Sequence, residues 1–224
     1  MKETVAEKHP LGFFLPENTQ LLMLGSFPPP QQRWSMNFYY PNIQNDMWRI
    51  LGLLFYVDKD FFLEAPRKFS EEKCKAFCRE KGLGIGDTGV EVIRQKGNAS
   101  DKFLEIVRPI DLEQVLGQIP QCRAIVVTGQ KAMDTLLSVL SLYVSVEEPA
   151  VGSFSSFVWQ GRDMKLFRMP SSSRAYPKPL PEKAAIYRKM FELLGICRNT
   201  CQFKIKSYLC NRNRERYYRS DYKT

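Results

Sequence analysis

Short apolar runs alternate with helical repeats of apolar positions along most of the chain. The run QLLMLGSF at residues 20–27 is closed by Gly-Ser, and three prolines follow it, which predicts a buried strand that leads into a loop. A second run, RAIVVTG at 123–129, is rich in β-branched residues, and QKAMDTLLSVL follows it with helical spacing. A strand, a tight turn and a helix in this order form half of a βαβ unit.

Helical spacing of apolar positions predicts six helices, at residues 45–55, 70–81, 100–107, 111–116, 130–140 and 181–194. Asn45 or Asp46 is expected to cap the first of these helices, and Ser70 is expected to cap the second, which has glutamates in its first turn. The last helix is expected to begin with Pro181 and to stop before Gly195, as proline and glycine favour at those positions.

Strands are predicted at 154–160 and 164–169, where apolar and polar positions alternate, and Gly161-Arg162-Asp163 would join them as a hairpin. Together these elements predict an α/β fold, a three-layer α/β/α sandwich on a short, mainly parallel sheet. Ligands of such sheets bind at the carboxyl ends of the strands. Three polar loops follow predicted strands, SFPPP, TGQK and PSSSRAY, and we expect them to converge on one edge as a site.

Composition and net charge add a partner to this picture. The chain has 224 residues and a mass of 26.0 kDa, which fits one globular domain. Its 33 Lys and Arg residues against 24 Asp and Glu give a formal charge of +9. An excess of this size favours a polyanionic partner, nucleic acid first, although a basic solvated surface would give the same number.

The excess charge is concentrated at the C-terminal end. Residues 197–224 hold eight basic and two acidic residues, so they carry +6 of the +9. Cations for phosphates interleaved with rings for bases suit nucleic acid, while a terminus that binds nothing specific and a surface for another protein are the alternatives. We therefore expect a domain at 1–196 and a basic, aromatic C-terminal extension at 197–224. Its aromatic residues are Phe203, Tyr208, Tyr217, Tyr218 and Tyr222.

Several classes of protein are disfavoured by the sequence. No apolar run approaches the ~20 residues of a membrane span, and MKETVAEKHPLGFF lacks the apolar core of a signal peptide. We expect a cytoplasmic protein with reduced cysteines. A long stretch of sequence separates the pair Cys74 and Cys78 from the pair Cys197 and Cys201. This is not a recognised spacing of metal ligands, so no metal is expected. The only histidine, His9, lies far from the serine-rich loop, which argues against a Ser-His-Asp triad.

Three segments carry a resemblance to a known family. LGSFPP at 24–29, FYYPNIQNDMW at 38–48 and MPSSSRAY at 169–176 closely resemble, in the same order, the motifs of the uracil-DNA glycosylase superfamily. The nearest branch is the hypoxanthine-DNA glycosylase (DNA-deoxyinosine glycosylase) family, with motifs like G-S-F-P, Y-Y-x-H-P-x-N-x-F-W and L-P-S-T/S-S-x-A. The resemblance runs from about residue 20 to residue 195.

The resemblance implies a uracil-DNA glycosylase-like fold and a monofunctional glycosylase that needs no cofactor. Such an enzyme hydrolyses the N-glycosidic bond of a deaminated base, hypoxanthine or uracil, after the base has flipped out of DNA. Asn45 matches the asparagine on which the hypoxanthine branch relies for catalysis, although a helix cap is its alternative role. Asp87 is the best remaining carboxylate to orient a water, and capping a turn between two glycines is its alternative. DNA with a damaged base is the expected partner, bound by a monomer.

The other site residues follow from the same motifs. Tyr39 or Tyr40 would supply an aromatic face for the flipped base, and the carboxamide of Asn42 would read the base edge. Gly25 and Ser26 are expected to let the backbone approach the base closely, beside Phe27. The predicted DNA contacts come from the late loop, whose hydroxyls and cation suit phosphates and the groove. They are Ser171, Ser172, Ser173 and Arg174.

The chain departs from the family's pattern at several positions. Asn42 and Ile43 stand where the family has His and Pro, and Met47 stands where it has Phe. The carboxylate that many uracil enzymes carry in the first motif is missing, with Phe27 near that position, and the late motif has no histidine. The hypoxanthine branch lacks both groups as well. A non-catalytic DNA- or nucleotide-binding domain that retains the fold is the alternative function.

Overall fold

The computed structural model describes residues 6–95 and 101–197. Ten strands occur in these residues: β1 (Glu7–Lys8), β2 (Leu21–Gly25), β3 (Leu63–Ala65), β4 (Lys68–Phe69), β5 (Leu83–Asp87), β6 (Gly89–Arg94), β7 (Leu104–Pro109), β8 (Ala124–Thr128), β9 (Ser153–Trp159) and β10 (Arg162–Met169). The α-helices are α1 (Met47–Tyr56), α2 (Glu71–Lys81), α3 (Leu112–Gln118), α4 (Gln130–Leu140) and α5 (Leu180–Leu193).

A five-stranded sheet forms the centre of the molecule, in the order β5-β2-β8-β10-β9. The four neighbouring strands β5, β2, β8 and β10 run parallel, and β9 joins the edge antiparallel through its hairpin with β10. Since parallel strands require crossovers, the chain must leave the sheet between them, and its helices cover both faces.

Alternation along β2 shows how the two faces are filled. Leu21 and Met23 pack into one cluster with residues of α1, α2 and α5, while Leu22 and Leu24 pack into another with α3 and α4. All five residues of β2 are buried, as expected of a strand covered on both faces. The predicted three-layer α/β/α sandwich on a mainly parallel sheet is therefore confirmed.

Most predicted elements are present, and three differ. The helix expected at 100–107 is wrong: after a short 3₁₀ turn at Asp101–Phe103 the chain continues as β7, which pairs with β6. In the β9–β10 hairpin the turn lies one residue earlier than expected, at Gln160 and Gly161, which both have positive φ. Helix α5 begins at Leu180, so Pro181 is its second residue.

The N-terminal segment belongs to the folded domain, which the motifs did not indicate. Strand β1 pairs antiparallel with β6, and together with β7 they form a second, three-stranded sheet. The expected extension at 197–224 lies outside the described residues from residue 198 onward. Within residues 6–95 and 101–197, no helix is long and apolar enough to cross a membrane.

Candidate functional site

A cavity of about 560 Å³ opens at the carboxyl edge of the parallel strands. Each of the four parallel strands contributes to it at or just beyond its last residue: Gly25 of β2, Asp87 of β5, Thr128 of β8 and the serine loop after β10. The segment before α1 supplies the remaining wall. The cavity therefore lies where open α/β sheets bind their ligands.

All the site residues predicted from the sequence line this one cavity, although their roles stay predictions. Of the three polar loops expected to converge here, the first and the last do so, while TGQK contributes only Thr128. The cavity also includes residues that the sequence did not single out, among them Arg33, Gln44 and Asp101. The predicted residues are Gly25, Ser26, Phe27, Tyr39, Tyr40, Asn42, Asn45, Asp87, Ser171, Ser172, Ser173 and Arg174.

Asn45 has two functional ends that point to different tasks. Its Oδ1 accepts a hydrogen bond from the Met47 backbone N–H at 2.8 Å, at the N-terminus of α1. Because an N–H can only donate, this contact also identifies which end of the carboxamide is the oxygen. No described residue accepts a hydrogen bond from Nδ2, and Asn45 lines the cavity. The cap and a free donor at the cavity thus coexist in one side chain.

Asp46 precedes α1, but its side chain does not cap the helix, because its carboxylate contacts Lys183 of α5 and Arg174 of the serine loop instead. Its Oδ2 accepts from Lys183 Nζ at 3.1 Å, and its Oδ1 accepts from Arg174 Nε at 3.1 Å. Lys183 Nζ also donates to the Ser173 carbonyl at 2.7 Å, and the Asp46 backbone N–H donates to the Ser172 carbonyl at 2.8 Å. These bonds hold the Asn45 segment against the serine loop.

Lys183 is the residue of this clamp that sequence reasoning missed. Its side chain is only 1% exposed, although lysine is rarely buried without a partner. A signal was present: Lys183 lies four residues before Tyr187 and seven before Met190, which places it on the buried face of α5. A lysine in that register indicates a buried acidic partner.

The aromatic residues of the cavity have separate roles. Tyr39 is buried in the wall, where its hydroxyl donates to the Gly12 carbonyl at 3.1 Å. Tyr40 has a positive φ of 52° and is partly exposed, so it is the more accessible of the two tyrosines from the cavity. Its hydroxyl is buried beside Thr128 without a well-formed hydrogen bond to any described residue, and burial raises its pKa. Phe27 offers a second ring.

Asp87 ends strand β5 and is not the turn cap that was its alternative role. The parallel register pairs Asp87 with Gly25, and a β-carbon on Gly25 would lie 2.3 Å from Asp87 Oδ1. Gly25 is therefore required to make room for this carboxylate, and its expected role of letting the backbone approach a base stays a prediction. The neighbouring strand β5 thus brings a carboxylate, that of Asp87, to the end of β2.

His9, which belongs to none of the three sequence motifs, contacts the other oxygen of Asp87. Its Nε2 lies 2.9 Å from Asp87 Oδ2, and both side chains are less than a tenth exposed. Burial raises the pKa of Asp87, while the hydrogen bond and charge of His9 oppose that rise. The nearby Asp101 raises it further. The N-terminal segment thus brings the only histidine of the chain into contact with a residue that lines the cavity.

Asp101 is a second carboxylate that sequence reasoning placed in a helix and missed. The Ser26 hydroxyl donates to Asp101 Oδ1 at 2.7 Å, so this hydroxyl is already engaged within the protein. Burial raises the pKa of Asp101, and its bond to Ser26 opposes the rise. Two carboxylates, those of Asp87 and Asp101, thus lie on the same side of the cavity as Gly25.

The serine loop is organised by its own hydroxyls. Ser171 Oγ accepts from the Ser173 N–H, and Ser173 Oγ accepts from the Ala175 N–H, both at 3.2 Å. Such consecutive turns leave the hydroxyl hydrogens available to a ligand. Arg174 is half exposed at the rim, where Asp46 holds its Nε. Asn42 resembles these serines, since its Oδ1 accepts from the Gln44 N–H at 2.9 Å.

Within residues 6–95 and 101–197, no three His, Cys, Asp or Glu side chains gather as a metal site. Cys74, Cys78 and Cys122 are buried in the apolar clusters. Burial raises the pKa of Cys122 to about 11, which keeps this thiol protonated near neutral pH.

Comparison with known proteins supports the fold and leaves the family open. No protein-family profile matches the chain, and no curated protein matches it. Among twelve solved chains that match is the solution NMR structure of a candidate uracil DNA glycosylase from Methanosarcina acetivorans. It superposes with a TM-score of 0.55 at 22% identity, covering 83% of this chain and 99% of that chain. At this identity the likeness establishes the α/β fold.

Proposed function

We propose that this protein is a monofunctional DNA glycosylase that hydrolyses the N-glycosidic bond of a deaminated base, hypoxanthine or uracil, flipped out of DNA. The observation that carries the proposal is one cavity that gathers a free carboxamide donor, aromatic rings, a buried carboxylate and a serine loop. The fold shared with a candidate uracil DNA glycosylase supports it. The order of the three sequence motifs points in the same direction.

The cavity suits a flat polar ligand. Its volume of about 560 Å³ lies within the range of roughly 300–1,000 Å³ typical of small-molecule sites. Flipping a base out of the stack costs roughly a few kcal/mol. Stacking and hydrogen bonds within the pocket must offset this free energy. Tyr40 and Phe27 supply rings, and Asn45 Nδ2 can donate to a carbonyl oxygen that both uracil and hypoxanthine carry.

The chemistry needs stabilisation of two developing charges. As the C1′–N bond breaks, its electron pair goes to the base, and the sugar becomes positively charged. Donation from Asn45 Nδ2 to the base oxygen would stabilise the departing base. Asp87, once ionised, would stabilise the cationic sugar and accept the proton of the water whose oxygen bonds to C1′. The base then takes up a proton from solvent.

DNA binding is assigned to the rim of the same cavity. Ser171 and Ser173 present hydroxyls suited to phosphate oxygens, and Arg174 adds a cation, while Ser172 is only 2% exposed and would have to turn outward to make its predicted contact. Arg174 is held by Asp46 in this structure, so it would have to exchange that partner to enter a groove. The proposal requires no metal and no organic cofactor.

The direct test is incubation of the protein with duplexes that each carry one uracil, hypoxanthine, xanthine or mispaired thymine. Alkali then converts abasic sites into strand breaks that a gel resolves. Release of uracil or hypoxanthine supports the proposal, and the faster of the two identifies the substrate. Salt-dependent DNA binding without release of any base would support the alternative, a binding domain that retains the fold without the chemistry.

Two substitutions separate the cap of Asn45 from its donor. Asn45→Asp keeps the oxygen that caps α1 and replaces the free Nδ2 donor, so we expect a folded protein with about a hundredfold lower rate of base release. Asn45→Ala loses both, and we expect it to be less stable by about 1 kcal/mol as well. Single-turnover base release and urea unfolding measure the two effects. Unchanged turnover in Asn45→Asp would refute the assigned role.

A further inference from the structure

The N-terminal segment places the chain's only histidine directly behind Asp87. His9 Nε2 lies 2.9 Å from Asp87 Oδ2, while Asp87 Oδ1 lies over Gly25 at the main cavity. The His9 ring meets Phe27 edge-to-face at 5.0 Å and stacks on Tyr39 at 5.9 Å between ring centres. The ring is therefore wedged between two aromatic residues of the cavity wall, with one nitrogen on the carboxylate.

The bonds of the ring indicate which nitrogen carries the proton. The Leu11 backbone N–H lies 3.1 Å from Nδ1, so in a neutral ring Nδ1 accepts this bond and Nε2 is protonated. Nε2–H then donates to Asp87 Oδ2. The Leu11 carbonyl lies 2.6 Å from the same Nδ1, so a doubly protonated ring is also satisfied. Both of these forms place a proton on Nε2, as an ionised Asp87 requires, whereas a neutral ring protonated on Nδ1 fits only a protonated Asp87.

The segment that carries His9 is seated by several independent contacts. The His9 N–H donates to the Val90 carbonyl at 2.8 Å, and Phe14 exchanges two backbone hydrogen bonds with Ile85 of β5. A β-carbon on Gly86 would lie 2.1 Å from the Phe13 ring, so the segment lies tightly on β5. These contacts fix the imidazole relative to the strand that ends in Asp87.

We propose that His9 is a positioning residue that keeps Asp87 ionised and aims its Oδ1 into the cavity. The catalytic value of this arrangement rests on the glycosylase function proposed above, but the His9–Asp87 coupling itself does not. The charged and titratable groups around Asp87 come from several elements, and Lys8 and Arg108 line a second cavity together with Asp87 and His9. His9 comes from the N-terminal segment, Tyr39 and Tyr40 from the segment before α1, and Asp101 from the turn before β7.

The sign of the effect follows from these neighbours. Burial raises the pKa of Asp87 above its ordinary value of 3.8 and Asp101 adds to the rise, while the hydrogen bond and charge of His9 and, less strongly, the Gly25 backbone N–H oppose it. Removal of His9 should therefore raise the pKa further. Since the ionised carboxylate is the active form, base release is lost as the pH falls through this pKa, and the acid limb of the rate profile should move to higher pH.

The experiment compares wild-type protein with His9→Leu, His9→Gln and the control Lys8→Gln. Carboxyl ¹³C NMR follows the protonation of Asp87, and single-turnover base release is measured against pH. In His9→Leu we expect the Asp87 titration and the acid limb of the rate profile to move together to higher pH, by about one unit or more. At a fixed pH on the acid limb, the rate of base release should then fall roughly tenfold for each unit of this shift. His9→Gln retains a donor and should show a smaller shift. Lys8→Gln removes the exposed cation of the residue before His9, at the end of β1, and should show no shift.

An Asp87 titration that is the same in His9→Leu and wild type would overturn the proposal. If wild type releases no base from any duplex, the glycosylase function fails, and the carboxyl titration alone still decides whether His9 acts on Asp87. If His9→Leu does not fold, ¹⁵N NMR of the single imidazole decides. The proposal requires that the neutral imidazole of the wild-type protein carries its proton on Nε2. It also requires that this preference for Nε2 is lost in Asp87→Asn. A predominant Nδ1–H form would overturn it.

Discussion

Gly25 shows how one missing side chain determines the chemistry of a site. Strands β2 and β5 run parallel in a register that pairs Gly25 with Asp87, so the two residues project toward the same face. Any β-carbon at position 25 would overlap Asp87 Oδ1. The glycine of the first motif is therefore required by a residue of a different strand.

Gly25→Ala should displace the Asp87 carboxylate without removing it. We expect base release to fall by about a hundredfold, since a shift of roughly 1 Å can cost that much, and stability to fall by about 1–3 kcal/mol from overpacking. Single-turnover rates and urea unfolding measure both quantities.

Gly117→Ala is the matched control for this substitution. Gly117 is exposed in α3 and a β-carbon there meets no atom within 4 Å. We expect unchanged base release and a gain of about 0.5–1 kcal/mol in stability. A Gly25→Ala variant with wild-type turnover would show that the carboxylate needs no fixed position.

At the scale of elements, the site depends on how α1 and α5 are held together. The two helices pack against each other, and the ring centres of Phe55 and Phe191 lie 5.2 Å apart. Next to this apolar contact, the buried ion pair of Asp46 and Lys183 joins the segment before α1 to the serine loop. One clamp thus sets the distance between the proposed catalytic asparagine and the proposed DNA-binding loop.

Lys183→Met should loosen this clamp. Removing one partner of a buried ion pair leaves the other charge without compensation, so we expect the free energy of unfolding to fall by about 3 kcal/mol. We also expect a lower affinity for DNA, because the Ser173 carbonyl loses its hydrogen bond from Lys183 and the serine loop is held less firmly. Denaturant unfolding and DNA titration check the two effects.

Lys178→Met provides the comparison on the surface beside the same helix. Lys178 pairs with Glu182 at 3.2 Å in a partly exposed position. Exposed pairs contribute little, so we expect a change of less than about 1 kcal/mol. If both variants lost the same stability, the clamp would have no special role.

At the scale of the whole molecule, charge is the property that bears on partners. Residues 197–224, which follow α5 in the sequence, carry +6 of the formal +9. Binding of cationic side chains to DNA phosphates releases counterions. If this segment binds DNA, the affinity of the protein for DNA should therefore fall more steeply as the salt concentration rises.

Truncation after Arg198 should weaken DNA affinity and flatten its dependence on salt. Each lost phosphate contact lowers the slope of log affinity against log salt by about 0.9. A variant that keeps all 224 residues and replaces four arginines by glutamine serves as control for the change in length. It should reproduce part of the loss in affinity and slope. The four arginines are Arg212, Arg214, Arg216 and Arg219. An unchanged slope in both would show that these charges do not touch phosphate.

Much of the framework could be predicted from the sequence because it is encoded locally. Apolar runs such as that of β2 and helical repeats such as that of α4 are legible in consecutive residues, and the ends of β2 and β10 indicated two of the site's loops. Strand β5 was missed, because LGIGD has too little apolar periodicity and too many glycines to read as a strand. The segment at 100–107 was misread, because its apolar spacing fits a helix as well as an edge strand.

What the sequence determined by itself is the set of chemical groups: Asn45, the tyrosines, the serine loop and the fold that presents them at one edge. What only the tertiary structure decided is which groups touch. His9 and Asp87 are separated by 78 positions, and Asp46 and Lys183 by 137, yet both pairs form buried contacts. No local pattern encodes such pairs, because they arise from the register of parallel strands and the packing of helices over them. The sequence supplies the side chains, and the fold makes a site of them.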